Sequence, residues 1–210
     1  MDIVTSIFSL LILLFSVIIH ELAHGYVAYS LGDPTAKYAG RLTLNPLKHL
    51  DPFGSVILPL LLFISQSPVL VGWAKPVPVN PYNLKDQKWG ALKVSIAGPA
   101  TNIALAIFFG LLIRLVSIFY PALFATAPGV FLMFYFVVHI NIILAIFNLI
   151  PIPPLDGSWI LLHFFPAEMG KVKMFLQQYG LFILIFLIFF GGLRWLSIVT
   201  SFFSHLIAGI

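Results

Sequence analysis

Apolar residues fill this chain in long blocks rather than at the spacing of an amphipathic helix or strand. Stretches without a charged residue cover 3–19, 52–74, 94–113, 115–155 and 174–193, and an apolar tail occupies 195–210. A membrane crossing takes about 20 apolar residues. The pattern therefore predicts core helices over about 3–31, 94–119 and 129–150, with C-terminal helices over about 174–193 and 195–210. The 115–155 block is too long for one crossing, and Pro121 and Pro128 interrupt it. The 52–74 block is an awkward span, broken by Pro59 and by Ser65-Gln66-Ser67-Pro68. The tail has 16 residues, short of a comfortable crossing, and its pattern does not say whether it spans.

Two short polar loops, 32–51 and 75–93, separate these blocks. Residues 36–44 alternate weakly and predict a short strand ended by Asn45-Pro46. Residues 69–81 hold three prolines, which forbid helix and predict extended chain. The expected fold is an all-α polytopic membrane protein forming one domain over 1–210. A three-helix catalytic core is joined by C-terminal helical segments, a re-entrant segment and short membrane-associated β-strands. The first apolar run lacks a basic leader and a small-x-small cleavage site before His20, so it reads as a retained helix rather than a signal peptide.

Composition agrees. The chain is 60% hydrophobic and 9% charged, where a soluble domain carries about 25% charged residues to cover its surface. This excludes a soluble globule, a disordered chain and a nucleic-acid-binding protein. The net charge of +4 reflects a small excess of basic residues of the kind that marks cytoplasmic loops. No cysteine is present, so disulfides, thiolate nucleophiles and cysteine-ligated metals are excluded.

Glutamate occurs only as Glu21 and Glu168, and Glu21 lies in His20-Glu21-Leu22-Ala23-His24. On a helix, residues i and i+4 share a face, so two imidazoles can bind one Zn²⁺ with the glutamate beside them as general base. Composition alone would produce this pattern about 0.002 times in such a chain. Burying His-Glu-His in an apolar helix is costly, and intramembrane ionisable residues usually mark function. A catalytic zinc takes three protein ligands and leaves one position for water. The third ligand is open among His49, His139, His163, His205, the aspartates and Glu168. Asp156 stands out because prolines 151, 153 and 154 unwind the chain just before it. Unwound backbone at membrane depth is tolerated where it lines a cavity.

The H-E-x-x-H motif on a membrane helix, followed downstream by Asn148-x-x-Pro151-x-x-Pro154-Leu155-Asp156-Gly157, resembles the site-two protease family of intramembrane zinc metalloproteases. Gly98-Pro99-Ala100-Thr101-Asn102 resembles that family's G-x-x-x-N element. Loop sequences 40–46 and 72–81 resemble its compact bacterial branch, with no room for PDZ or CBS modules. The resemblance implies one Zn²⁺ per chain on His20, His24 and Asp156, and a single-span membrane-protein substrate. It also implies that Asn148 contacts substrate, and that Gly98 and Asn102 support the core near the site. From the residues alone, Gly98 and Asn102 read as close packing plus one interhelical hydrogen bond. Asn148 is the best side-chain donor for the developing oxyanion. Asn141, seven residues earlier on the same face, assists it or makes an ordinary interhelical hydrogen bond. His139 reads as a packed histidine, and His49, His163 and His205 as interfacial ones.

Charge selects a topology. If 52–74 crosses fully, Asp156 ends opposite His24, and the basic residues split five against six. If 52–74 enters and returns, Lys37, Arg41, Lys48, Lys75, Lys85, Lys88, Lys93, Lys171 and Lys173 share one side, with Arg114 and Arg194 opposite. The second arrangement obeys the positive-inside rule. It places the site toward the cytoplasmic face, and the resemblance implies a bacterial or archaeal membrane. The competing function is a non-proteolytic membrane metal-binding or transport protein, which would need no base at Glu21. The oligomeric state is not legible.

Overall fold

The computed structural model describes residues 3–65 and 73–209. All regular structure among the described residues is helical. α1 (Ile3–Ser30) ends in a Schellman turn, in which Gly32 N–H donates to Tyr29 O and Asp33 N–H to Ala28 O, at 3.1 and 2.9 Å. α2 (Thr35–Tyr38) is a single turn, and a π-helical turn at Pro52–Ile57 leads into α3 (Leu58–Ile64). α4 (Gly90–Phe119) is the longest helix. α5 (Pro121–Thr126) and α6 (Pro128–Asn148) each place proline in the first turn, where its missing N–H has no intrahelical partner to lose. α7 (Asp156–Phe164), α8 (Gly170–Phe189) and α9 (Arg194–Ala208) complete the chain. Among the described residues, four stretches are long and apolar enough to cross a membrane: Ile7–Ser30 of α1, α4, α6 and α8.

α4 is the hub. It packs along α1 and α6, takes α7 near its start and α9 along another face. Ala106, Ile113, Val138, Ile142 and Ala208 form the largest buried cluster, joining α4, α6 and α9. α9 buries every fourth residue, Leu196, Thr200, Ser204 and Ala208. Arg114 of α4 caps its far end, with Nε donating to Ile207 O at 2.8 Å and Nη2 to Leu206 O. At about 1.5 Å per residue α9 is roughly 22 Å long, short of the ~30 Å hydrocarbon core. By length it falls outside the helices able to cross, and it packs against α4 and α6.

Three expectations need correction. Residues 36–44 form no strand. Their alternation is too short to outweigh the local turn, in which Tyr38 N–H donates to Pro34 O at 3.0 Å. Residues 73–80 are irregular and pair with no ladder; their donors go to scattered partners, and 69–72 lie outside the described residues. Arg194 does not sit at the far end. Gly180 and Leu184, midway along α8, already lie against Pro153 and Ile150. Leu193 therefore packs on the cluster of Ile150 and Leu155, at the Asp156 end.

The two ends of the 52–74 block meet. Trp73 N–H donates to Gly54 O at 3.1 Å, Ser55 Oγ donates to Trp73 O at 2.7 Å, and the Phe53 and Trp73 rings are 5.9 Å apart. Residues 66–72 of that block lie outside the described residues.

Candidate metal centre

His20 and His24 stand one turn apart on α1, and Asp156 opens α7. Three contacts fix the start of α7. Pro99 interrupts the ladder of α4 by lacking an N–H, and one turn earlier Ser95 Oγ donates to the backbone O of Asp156 at 2.6 Å. Ser158 N–H and Oγ both bond Leu155 O, fixing the first turn of α7. Gly157 lets α7 press on the end of α6: a Cβ there would fall 2.7 Å from Ile150 O and closer still to Leu149.

The ligand atoms converge. His20 Nε2 lies 3.1 Å and His24 Nε2 3.2 Å from Asp156 Oδ2, and the two Nε2 atoms are 3.0 Å apart. Ligands about 2.0–2.1 Å from a tetrahedral zinc would be about 3.3–3.4 Å from one another. The three atoms thus have the spacing a zinc ion needs. Among the described residues no other His, Asp or Glu cluster of three offers its ligand atoms so close together.

The outer hydrogen bonds settle the tautomers. His24 Nδ1 is 2.7 Å from Val94 O, which can only accept, so Nδ1 carries the proton. His20 Nδ1 is 2.5 Å from Asn102 Oδ1. Asn102 is oriented in turn, since its Nδ2 donates to Asn141 Oδ1 at 2.7 Å and to Ser16 O at 3.4 Å. Asn141 Nδ2 donates to Ser16 Oγ at 3.0 Å. Both Nε2 lone pairs therefore face inward. Asp156 Oδ2 is buried there without a hydrogen-bond donor. Three acceptors aimed at one point with no proton among them repel unless a cation is shared between them. The donor set suits zinc.

Gly98 forms the floor. A Cβ on it would lie 2.6 Å from His20 Nε2 and nearer to His24 Nε2, so only glycine lets α4 pass behind the imidazoles. Glu21 stands apart from the ligand group. It is half-buried, and its Oε2 accepts Val77 N–H at 2.7 Å.

Other candidates fall elsewhere. Asn148 sits on the last turn of α6, with Nδ2 donating to Leu144 O at 2.9 Å. His139 contacts Ser204 Oγ at 3.2 Å, His163 stacks on Trp89 and His205 bonds Ser201 O. His49 is 1% exposed rather than interfacial, because the loop folds over it and Thr43 O takes its Nε2 at 2.8 Å. The sequence reading missed Val94, Ser16 and Val77. Val94 and Val77 act through backbone atoms, which residue type cannot signal. Only the proline-spaced pattern around Val77 hinted that its N–H was reserved.

A family model described as Peptidase family M50 matches residues 8–122 and 114–190. The chain belongs to peptidase family M50. It is 41% identical over 179 residues to "Putative zinc metalloprotease YwhC" of Bacillus subtilis, covering 85% of this chain and 77% of that protein. It is 31% identical over 184 residues to "Putative zinc metalloprotease Rip2" of Mycolicibacterium smegmatis, covering 87% and 67%. A stretch of 69 residues is 44% identical to "Putative zinc metalloprotease MJ0611" of Methanocaldococcus jannaschii, covering 33% and 32%. No solved structure matches. The M50 match takes in both the histidine helix and Asp156. With four helices fit to cross a bilayer, the chain is an integral membrane protein of a metalloprotease family.

Proposed function

We propose that this protein is a zinc-dependent intramembrane endopeptidase that cuts single-span membrane proteins in or near their transmembrane segment, as a step of regulated intramembrane proteolysis. The observation that carries the proposal is the convergence of His20 Nε2, His24 Nε2 and Asp156 Oδ2 within 3.0–3.2 Å of one another. When bound, zinc supplies a Lewis acid that activates water and polarises the scissile carbonyl. Glu21 takes the proton of the attacking water and hands it to the leaving amine. Its Oε2 is held by Val77 N–H, which leaves Oε1 for this transfer. Asn148, at the mouth of the unwound segment, exchanges its bond to Leu144 O for the developing oxyanion or the substrate backbone. A substrate helix bonds its amides internally, so it must unwind locally before attack.

The site faces the cytoplasm in this proposal. The meeting of Gly54 and Trp73 supports a re-entrant 52–74. The lysines and Arg41 of loops 32–51 and 75–93, with Lys171 and Lys173, then share the side of the site, in keeping with the positive-inside rule. The transport alternative gains nothing from the site, where Glu21 is a base held beside the ligand group rather than part of it.

The deciding experiment is metal analysis of the purified protein together with cleavage of a model transmembrane substrate. Wild type should hold about one zinc and cleave, as three ligands with an open position require. Glu21→Gln should hold the same zinc and not cleave. Cleavage by Glu21→Gln at the wild-type rate would remove the general base from the proposal.

A further inference from the structure

Residues 73–83 lie as a strap along the Glu21 side of α1. Val77 packs where Gly25 leaves room, and its N–H holds Glu21. Asn80 N–H and Asn83 Nδ2 both donate to Asp33, at 2.7 and 2.9 Å. Pro76, Pro78 and Pro81 have no N–H, so Val77 is a lone donor between two prolines. What fixes that donor is Arg41. Its guanidinium Nη2 donates to Lys75 O at 2.6 Å and to Pro76 O at 3.3 Å, the two carbonyls directly before Val77. Arg41 is only 6% exposed. Among the described residues no carboxylate pairs with it, and its Nε is buried without a partner. Burying an unpaired guanidinium is expensive. Leu or Met would cover the same apolar surface without that cost, so its charge and fork serve a purpose other than packing.

We propose that Arg41 is a positioning residue for the general base, an inference that rests on the reading of Glu21 as that base. By gripping both carbonyls of the Lys75-Pro76 corner, Arg41 sets the direction of Val77 N–H. Val77 N–H pins one oxygen of Glu21 and so fixes where the other can accept a proton. Without the grip, the strap and the carboxylate drift together. A misplacement of about 1 Å in a catalytic group costs on the order of 100-fold in rate.

The test uses the full-length, zinc-loaded chain in detergent with a model transmembrane substrate. Arg41→Gln, Arg41→Lys, Val77→Pro and the double variant Arg41→Gln/Val77→Pro are compared for kcat, KM and zinc per chain, and amide exchange at Val77 is read in the wild type and the two single Arg41 variants. Arg41→Gln should lower kcat about 30- to 100-fold, with KM within about threefold and zinc unchanged. Its Val77 amide should exchange at least about tenfold faster as the strap opens. Arg41→Lys, which can hold one carbonyl, should recover part of kcat. The double variant should be no slower than Val77→Pro alone, because both changes act through the same N–H. An unchanged kcat, a Val77 amide still protected in Arg41→Gln, or multiplied losses in the double variant would overturn the inference. If Arg41→Gln fails to fold, Arg41→Lys takes its place in the exchange measurement and the cycle. Should Glu21→Gln itself cleave normally, the function reading fails, and the Val77 exchange rates still report on the clamp.

Discussion

Gly98→Ala adds one methyl group where α4 passes behind the imidazoles. That Cβ would sit 2.5 Å from His20 Cε1 and 2.6 Å from His20 Nε2. Ordinary contact is about 3.5–4.0 Å, so the rings must retreat by roughly 1 Å. Metal–ligand distances tolerate only about ±0.2 Å, and a shift of about five times that tolerance leaves the ligands unable to share one ion. Overpacking of this kind costs about 1–3 kcal/mol, while replacing glycine by alanine inside a helix returns about 1 kcal/mol. The net loss of stability is therefore about 0–2 kcal/mol, too little to unfold the helical core. The expected variant is folded but inactive. Its zinc content should fall and its cleavage rate should drop at least about 100-fold. Gly129→Ala is the matched control, since no atom lies within 4 Å of its added Cβ. It gains the same helix propensity and should cleave normally. Initial rates and zinc per chain, with thermal midpoints for both variants, decide the matter. Full zinc and a rate within about threefold of wild type in Gly98→Ala would refute the packing of α4 against the imidazoles.

Other outcomes follow from the same geometry. Asn102→Leu removes the acceptor that orients His20 and the donor to Asn141, and should weaken zinc binding about 10- to 100-fold in competition with a chelator. Chelation of the wild-type protein should abolish cleavage and lower the thermal midpoint, and added zinc should restore both. Burial pushes the Asp33 carboxyl up, but donors from Thr35, Asn83 and Asn80 outweigh it and hold the group below the usual carboxylate range. With a folded pKa below the unfolded one, this stabilisation is complete above about pH 4 and is lost as pH falls further. Thermal melts of wild type should therefore decline below that pH. Asp33→Ala, which strands several donors, should lose about 1–3 kcal/mol at neutral pH and decline less steeply in acid.

The cluster of His20, His24 and Asp156 was legible because its members are side chains at helical spacing and a carboxylate after prolines that mark where helix ends. The long helices were legible because a bilayer imposes its thickness on apolar runs. Residues 36–44 misled because a nine-residue alternation is weak evidence, and Pro34 with Tyr38 closes a turn that pattern alone does not reveal. Asn102 was read as one interhelical hydrogen bond. It makes such a bond to Asn141, yet it also reaches His20 on a third helix, which no spacing along α4 predicts. Gly98 was read as close packing without its neighbour being known. Arg41 counted only as a positive charge in a loop, because burial depends on a strap 34 residues further on.

The ligands' separation along the chain has a consequence for biogenesis. His20 and His24 precede Asp156 in the chain, and Asp156 is made 132 residues after His24. At roughly 5–20 residues per second, that interval lasts about 7–26 s. During it the nascent chain carries His20, Glu21 and His24 without the carboxylate that completes the cluster. Under the proposed function, the enzyme would therefore be inert until Asp156 is made, while its unpacked helices lie beside other newly inserted segments.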